Sequence, residues 1–174
     1  MLSPEDFQKG LDLRIDLSCA AAQDLGRVTQ LINKTNQFNL TTLRRSLEEV
    51  RALHASPRHR IFALRVRDRF GDYGLTGVVI VERDGEARWV IDTLLLSCRV
   101  LGRGVETALL AALAKEARAE GVREITASFL PTAKNVPAQN FLADHGFTFI
   151  AGNSWRIPVD AISTSDVVAD ETVP

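Results

Sequence analysis

The stretch 87–120 constrains this chain more than any other. ARWVIDTLLL (87–96) is apolar and β-prone, and SCRVLGRG (97–104) carries two glycines and two arginines. The stretch 104–120 then places Val105, Ala108, Leu109, Ala112, Leu113 and Ala117 on one helical face, with Gly121 past its end. A strand that hands over to an amphipathic helix must bury two apolar faces in one core. That requires a sheet with helices packed on it, so the chain reads as α/β with a mixed sheet.

The flanks extend the pattern. LDLRIDL (11–17) alternates and predicts a first strand. Ser18 is placed to cap a helix running to about Asn33, with Ala21, Leu25, Val28, Leu31 and Ile32 on its apolar face. After the polar stretch NKTNQFNLTT, Thr42 is expected to cap a second helix, LRRSLEEVRALHA, which Ser56 and Pro57 stop. RIFALRVRD (60–68), GLTGVVIVE (74–82) and 87–96 form an antiparallel run, turned at Gly71-Asp72 and Asp84-Gly85. REITASFL (123–130) is a further strand, and Asn135 is expected to cap a helix with Pro137 in its first turn and Gly146 past its end. FTFI and SWRIPV close as short strands. The order is β-α-α-β-β-β-α-β-α-β-β. One domain is expected over 11–158, with a polar lead-in at 1–10 and a flexible tail at 159–174.

Composition narrows the function classes. The 174 residues are 45% hydrophobic and 25% charged, with a formal net charge of −1. No basic excess points to nucleic acid, and no apolar run approaches the ~20 residues of a spanning helix. No secretion leader is visible, and a cytoplasmic location with free thiols is expected. Cys19, Cys98, His54, His59 and His145 show no metal-ligand spacing, so no metal is expected.

The pattern Arg99-x-x-Gly102-x-Gly104 carries the chemistry. Glycines let backbone approach an anion and adopt turns other residues resist. The helix behind them presents unpaired N–H groups and a positive dipole end, where a pyrophosphate fits, and Arg99 or Arg103 can add charged hydrogen bonds. The alternative is a glycine turn that binds nothing. No Gly-Lys-Ser/Thr follows, which excludes a Walker loop, and the glycine spacing excludes the dinucleotide fingerprint.

Arg-x-x-Gly-x-Gly after a fourth strand resembles the pyrophosphate loop of the GNAT (Gcn5-related N-acetyltransferase) superfamily. NVPAQNFLADHGF resembles that superfamily's later segment through Asn135, Ala138, Phe141, Gly146 and Phe147, and the element order agrees over 11–158. The resemblance implies a GNAT fold that holds coenzyme A or carrier-borne phosphopantetheine. It implies contacts along Leu94, Leu95 and Leu96, through Arg99, Val100, Leu101, Gly102, Arg103, Gly104 and Val105, and at Asn135. One departure is Leu142, where many relatives place a tyrosine that protonates the leaving thiolate.

INKTNQFNLTT, DRFGDYGLTG, IDTLLLSCRVLGRGVE and PTAKNVPAQNFL together resemble a narrower group, the C-terminal domain of FkbH-like proteins of polyketide-type assembly lines. That resemblance implies transfer of a glyceryl or similar acyl unit to an acyl carrier protein through an enzyme thioester. It also implies a haloacid-dehalogenase-type phosphatase domain as partner, and this chain lacks that domain's Asp-x-Asp-x-Thr/Val motif. Cys98 becomes the candidate acyl relay, its thiolate favoured by Arg99, Arg103 and a helix N-terminus. The competing reading of Cys98 is a small residue buried at a strand end. The alternatives at the level of function are an acyl-CoA-dependent N-acyltransferase and a non-catalytic module that docks pantetheine or a carrier protein.

Because the loop between the first two helices of a GNAT fold borders the acceptor cleft, Asn36, Asn39 and Thr41 are candidate substrate contacts. Their plainer reading is a polar helix connection. Asp92 is a candidate base or orienting acid in mid-strand, or a solvent-facing residue. His145 reads as a helix C-terminal residue, Trp89 and Trp155 as packing. Arg65, Arg67, Asp68 and Arg69 read as a solvated face.

Overall fold

β4 (Gly71–Arg83) is buried without interruption from Leu75 to Val81, which is the signature of a central strand covered on both faces. The computed structural model describes residues 12–163. Around β4 the chain lays β1 (Arg14–Cys19), β2 (Phe38–Asn39), β3 (His59–Asp68), β5 (Arg88–Leu96), β6 (Glu124–Ser128), β7 (Thr148–Ala151) and β8 (Ser154–Pro158). The sheet runs β1-β3-β4-β5-β6-β8-β7, with β2 added to β5 off this path. β5 and β6 pair in parallel, and the other pairings are antiparallel.

Helices cover the two faces unequally. α3 (Val105–Ala119) and α4 (Phe141–Asp144) lie over one face, in a core with Phe62, Leu64, Trp89, Leu94, Ile125 and Ile157. α1 (Leu25–Lys34) and α2 (Leu47–Ala55) lie over the other, with Ala63, Val78, Ile80 and Leu95. That second core takes no residue from β6, β7 or β8. Thr126, Ser128 and Arg156 therefore stand on a sheet face that α1 and α2 leave open.

The expected element order holds, with one strand added and several boundaries corrected. β1 continues to Cys19, because Ser18 and Cys19 pair with Ala63 and Phe62. Ser18 therefore caps nothing, and a 3-10 turn at Ala22–Asp24 precedes α1. Thr42 does not cap α2 either. It sits at φ 50° with its N–H held by Asn39 Oδ1 at 2.9 Å, and Ser46 with Glu49 forms the capping box instead. Gly71 and Asp72 belong to β4, and the hairpin turns at Arg69 and Phe70, where Phe70 N–H donates to Asp68 Oδ1 at 2.8 Å. The helix expected after Asn135 is a 3-10 turn (Val136–Ala138) followed by the short α4.

The tail is corrected as well. Val159 and Ile162 are buried in the α3-side core, and Arg118 Nη2 donates to their carbonyls at 2.9 and 3.1 Å. The lead-in at 1–10 and the tail from residue 164 lie outside the described residues.

Glu120, just past α3, ties that helix to the sheet. Arg83 grips it with Nη2 to Oε1 at 2.9 Å and Nε to Oε2 at 3.2 Å, and Arg60 donates to the same carboxylate. Burial alone would raise this carboxyl, but the hydrogen bond from Arg83 and the charges of Arg60 and Arg83 outweigh it and hold the group below its ordinary value of 4.5. A depressed carboxyl contributes stability above the unfolded-state value and loses it as pH falls through the folded-state value. Glu120→Gln is therefore expected to lower stability at pH 7 by about 1 kcal/mol. Urea melts below pH 4.5 should show the variant and native protein converging as the pH falls.

Candidate active site

β5 begins paired with β6 at Arg88, Trp89 and Val90 and then leaves it. At the departure, Thr93 pairs with Ile80 and Ile91 with Val81, so Asp92 is an extra residue, bulged out of the ladder with β4. The bulge is pinned from the side. Thr41 Oγ1 donates to the Asp92 carbonyl at 3.0 Å, Arg45 Nη2 bridges both carboxylate oxygens of Asp92 at 2.9 and 2.7 Å, and Thr93 Oγ1 donates to Oδ1 at 2.8 Å. The Asp92 carboxylate is thus engaged on both oxygens. It is not placed as a free base.

Beyond the bulge, Leu94, Leu95 and Leu96 are fully buried, so their free strand edge cannot turn to water. The chain supplies its own partner. Phe38 and Asn39 pair with Leu96 and Leu95 as β2, and Leu40 N–H donates to the Leu94 carbonyl at 3.1 Å. On its other side the Leu40 carbonyl accepts Leu130 N–H at 2.9 Å, which bridges the gap to the segment after β6. Asn135, wholly buried, locks this filling. Its Nδ2 donates to the carbonyls of Asn39 and Leu130 at 3.0 and 2.9 Å, and its Oδ1 accepts Thr132 N–H at 2.7 Å. Asn135 is therefore a buried brace whose side chain caps no helix.

The candidate contacts of the connecting loop have internal partners. Asn39 is buried, its Nδ2 donating to Thr35 O at 3.1 Å and its Oδ1 accepting Thr41 N–H at 3.3 Å and Thr42 N–H at 2.9 Å. Thr41 is buried against the bulge. Asn36 is half-buried, and its Oδ1 accepts from Arg44.

After β5 the chain turns through a 3-10 turn at Cys98–Val100, with Ser97 O accepting Val100 N–H at 3.1 Å. Val100 and Val105 are fully buried and Leu101 packs beside them, so apolar anchors fix the loop at both ends. Between them Gly102 and Gly104 adopt φ 78° and 80°, left-handed backbone that side-chain-bearing residues resist. A Cβ on Gly102 would meet nothing within 4 Å, so the loop is open above it. Cys98 and Arg99 are exposed on the same rim.

The two loop arginines differ. Arg103 Nη1 donates to Asp68 Oδ2 at 2.8 Å and to the Tyr73 hydroxyl, and the Asp68 side chain is 0 % exposed. The hydrogen bond to Tyr73 raises Arg103 against the opposing effect of burial, and the Tyr73 and Asp68 charges add to it. Asp68 is therefore a sheltered anchor, correcting the solvated-face reading for that residue. Arg99 enters no ion pair among the described residues, and its guanidinium lies 5.8 Å from the Tyr73 ring centroid. Glu106, in the first turn of α3, accepts Gly102 N–H on Oε1 at 3.1 Å.

Leu142 is buried in the α3-side core and offers no proton. His145 Nδ1 lies 2.8 Å from Phe141 O and donates there, and Nε2 shares a 3.0 Å hydrogen bond with the Thr107 hydroxyl. That pair ties α4 to α3. No group of three or more potential metal ligands occurs among the described residues, and no described helix is long and apolar enough to cross a membrane.

Sequence reasoning singled out the loop, Cys98, Asn135 and Asp92. It missed Arg45, Asp68, Tyr73 and Glu106, whose partners lie far along the chain or look like routine surface charges. Asn135→Ala leaves the Asn39 and Leu130 carbonyls without this donor, and is expected to cost roughly 2–4 kcal/mol of stability in urea melts.

A model of the acetyltransferase (GNAT) family matches residues 27–147. No curated protein matches the sequence. Similar solved structures include the ribosomal-protein-S18-alanine N-acetyltransferase of Escherichia coli, with TM-score 0.63, 14% identity and coverage of 92% of this chain and 99% of that one. The spermidine N-acetyltransferase of Vibrio cholerae, in complex with coenzyme A and spermine, gives TM-score 0.61 at 15% identity, covering 85% of this chain and 97% of that one. An aminoglycoside acetyltransferase in complex with coenzyme A gives TM-score 0.61 at 16% identity, covering 84% and 96%. At these identities the likeness is one of fold. The family model runs from within α1, through the glycine loop, to just past α4, and the chain belongs to the acetyltransferase (GNAT) family.

Proposed function

We propose that this domain handles an acyl group carried as a thioester on phosphopantetheine, with Cys98 as the relay. One observation carries the reading: an exposed thiol stands directly before an open, two-glycine loop at a helix N-terminus. The residues fit the ligand in two different ways. At the loop, the amides at the start of α3 and Arg99, which enters no ion pair among the described residues, suit a phosphate. Along β5, the edge of Leu94–Leu96 suits a pantetheine arm only when the segment 38–40 gives it up. The two amides of a pantetheine arm can replace hydrogen bonds that the segment surrenders, so the exchange need not leave buried backbone unpaired.

In this reading Cys98 reacts as the thiolate. Its sulfur attacks the thioester carbonyl carbon, a new carbon–sulfur bond forms, and the bond to the pantetheine sulfur breaks. The proton that Cys98 gave up ends on the released pantetheine thiol. A carrier protein as donor or acceptor, a glyceryl unit as cargo and a phosphatase domain as partner follow from the likeness to FkbH-like proteins and belong to the same proposal, as do a cytoplasmic setting and substrate contact by Asn36, Asn39 or Thr41. The filled β5 edge favours one second reading, a docking module without acyl transfer.

Incubation with a glyceryl thioester of pantetheine, followed by intact-protein mass spectrometry, separates the two. A glyceryl increment on the native chain and none on Cys98→Ala is expected. No increment on either folded protein would remove the relay and leave the docking module. Hydrogen exchange checks the path: the Leu40 amide should exchange at least severalfold faster when the pantetheine thioester is bound. An unchanged Leu40 amide under saturating ligand would place the arm elsewhere.

A further inference from the structure

The loop is less cationic than its sequence. Asp68, sheltered from water, matches the charge of Arg103 through a 2.8 Å hydrogen bond. Glu106 brings a second carboxylate to the loop, seated on the backbone and not on an arginine. Its position is favourable in itself, because an acid in the first turn of a helix meets the positive end of the dipole. Its seat is specific as well. Oε1 takes the Gly102 N–H at 3.1 Å, one of the amides that open, left-handed backbone would present to a phosphate. An anion from the chain itself therefore rests on this loop.

We infer that Glu106 is a charge filter for this site, setting it against multiply charged ligands such as free coenzyme A and toward the single phosphodiester of carrier-borne pantetheine. The inference rests on the phosphopantetheine reading above. An incoming phosphate must displace the Glu106 carboxylate from Gly102 and then stay beside it, because Glu106 is fixed to the second residue of α3. The repulsion between them scales with the charge the ligand brings. A phosphodiester brings one negative charge to the loop, whereas coenzyme A brings a pyrophosphate and a further phosphate. Arg99 is left to offset one charge and not several. Gly102 is open above, so the filter acts by charge and leaves room for the ligand.

Calorimetric titration tests this with two probes, coenzyme A and the methyl phosphodiester of pantetheine. Glu106→Gln keeps the shape and removes the charge. It is expected to tighten coenzyme A by about tenfold and the phosphodiester by no more than about threefold. Glu116→Gln, farther along the same helix, controls for net charge and should move neither. A thermal melt of each variant confirms the fold. Coenzyme A affinity unchanged or weakened in folded Glu106→Gln, beside measurable binding to the native protein, would overturn the filter while leaving the site. An equal gain in Glu116→Gln would overturn it in favour of a general charge effect. Failure of every folded protein to bind either probe would remove the pantetheine site itself, and the role of Glu106 with it.

Discussion

β5 loses its neighbour after Val90, and the candidate site is built around what replaces that neighbour. A bulge at Asp92 turns the strand away from β6, leaving three fully buried leucines with a free backbone edge. Buried amides and carbonyls must be paired, so the edge demands a partner. The segment 38–40 answers that demand, with Asn135 bracing it and Thr41 and Arg45 securing the bulge from the same loop. The connection between α1 and α2 is therefore part of the sheet, and the polar residues that make it look like a simple loop are what hold it in the gap.

The same economy governs the glycine loop. Arg103 meets Asp68 and the Gly102 amide meets Glu106, while Arg99 enters no ion pair among the described residues. Asp68 and Tyr73 fix Arg103 from the β3–β4 hairpin, which makes that hairpin part of the loop's support. Tyr73 also lies under Arg99. The orientation of both arginines thus depends on one aromatic side chain outside the glycine pattern. This coupling explains why a buried acid at the end of β3 is tolerated: a carboxylate with 0 % exposure needs a paired cation and hydrogen-bond donors, and Arg103, Tyr73 and the Phe70 amide supply them.

Periodicity sufficed for the architecture, because β4, α3 and the apolar faces of the other elements repeat strongly enough to set their own type. The loop was legible for a related reason, since glycines at left-handed positions have few other uses. What stayed hidden was set by distant pairing. Ser18 reads as a cap until β3 draws it into β1, and Thr42 reads as a cap until Asn39 turns its backbone left-handed. β2 is two residues long and has no period to detect. Asp68 looks like one charge among several in RVRDR, and only the approach of Arg103 across the fold distinguishes it.

Leu142 and Cys98 bear on the same chemical question from opposite sides. Acylating an amine on a thioester requires a proton to leave the nitrogen and another to reach the departing thiolate, so a positioned acid helps. Leu142 is buried and carries none. Exchange between two thiols makes a weaker demand. In the proposed exchange, the proton that leaves the Cys98 thiol is the one the departing thiol takes up, so one proton serves both sulfurs. Under the proposed thiol exchange, an exposed cysteine beside the glycine loop and an apolar residue at position 142 are therefore compatible within one reaction. Under direct transfer to an amine, Leu142 would leave the departing thiolate without a donor at that position, and the exposed cysteine would have no part to play.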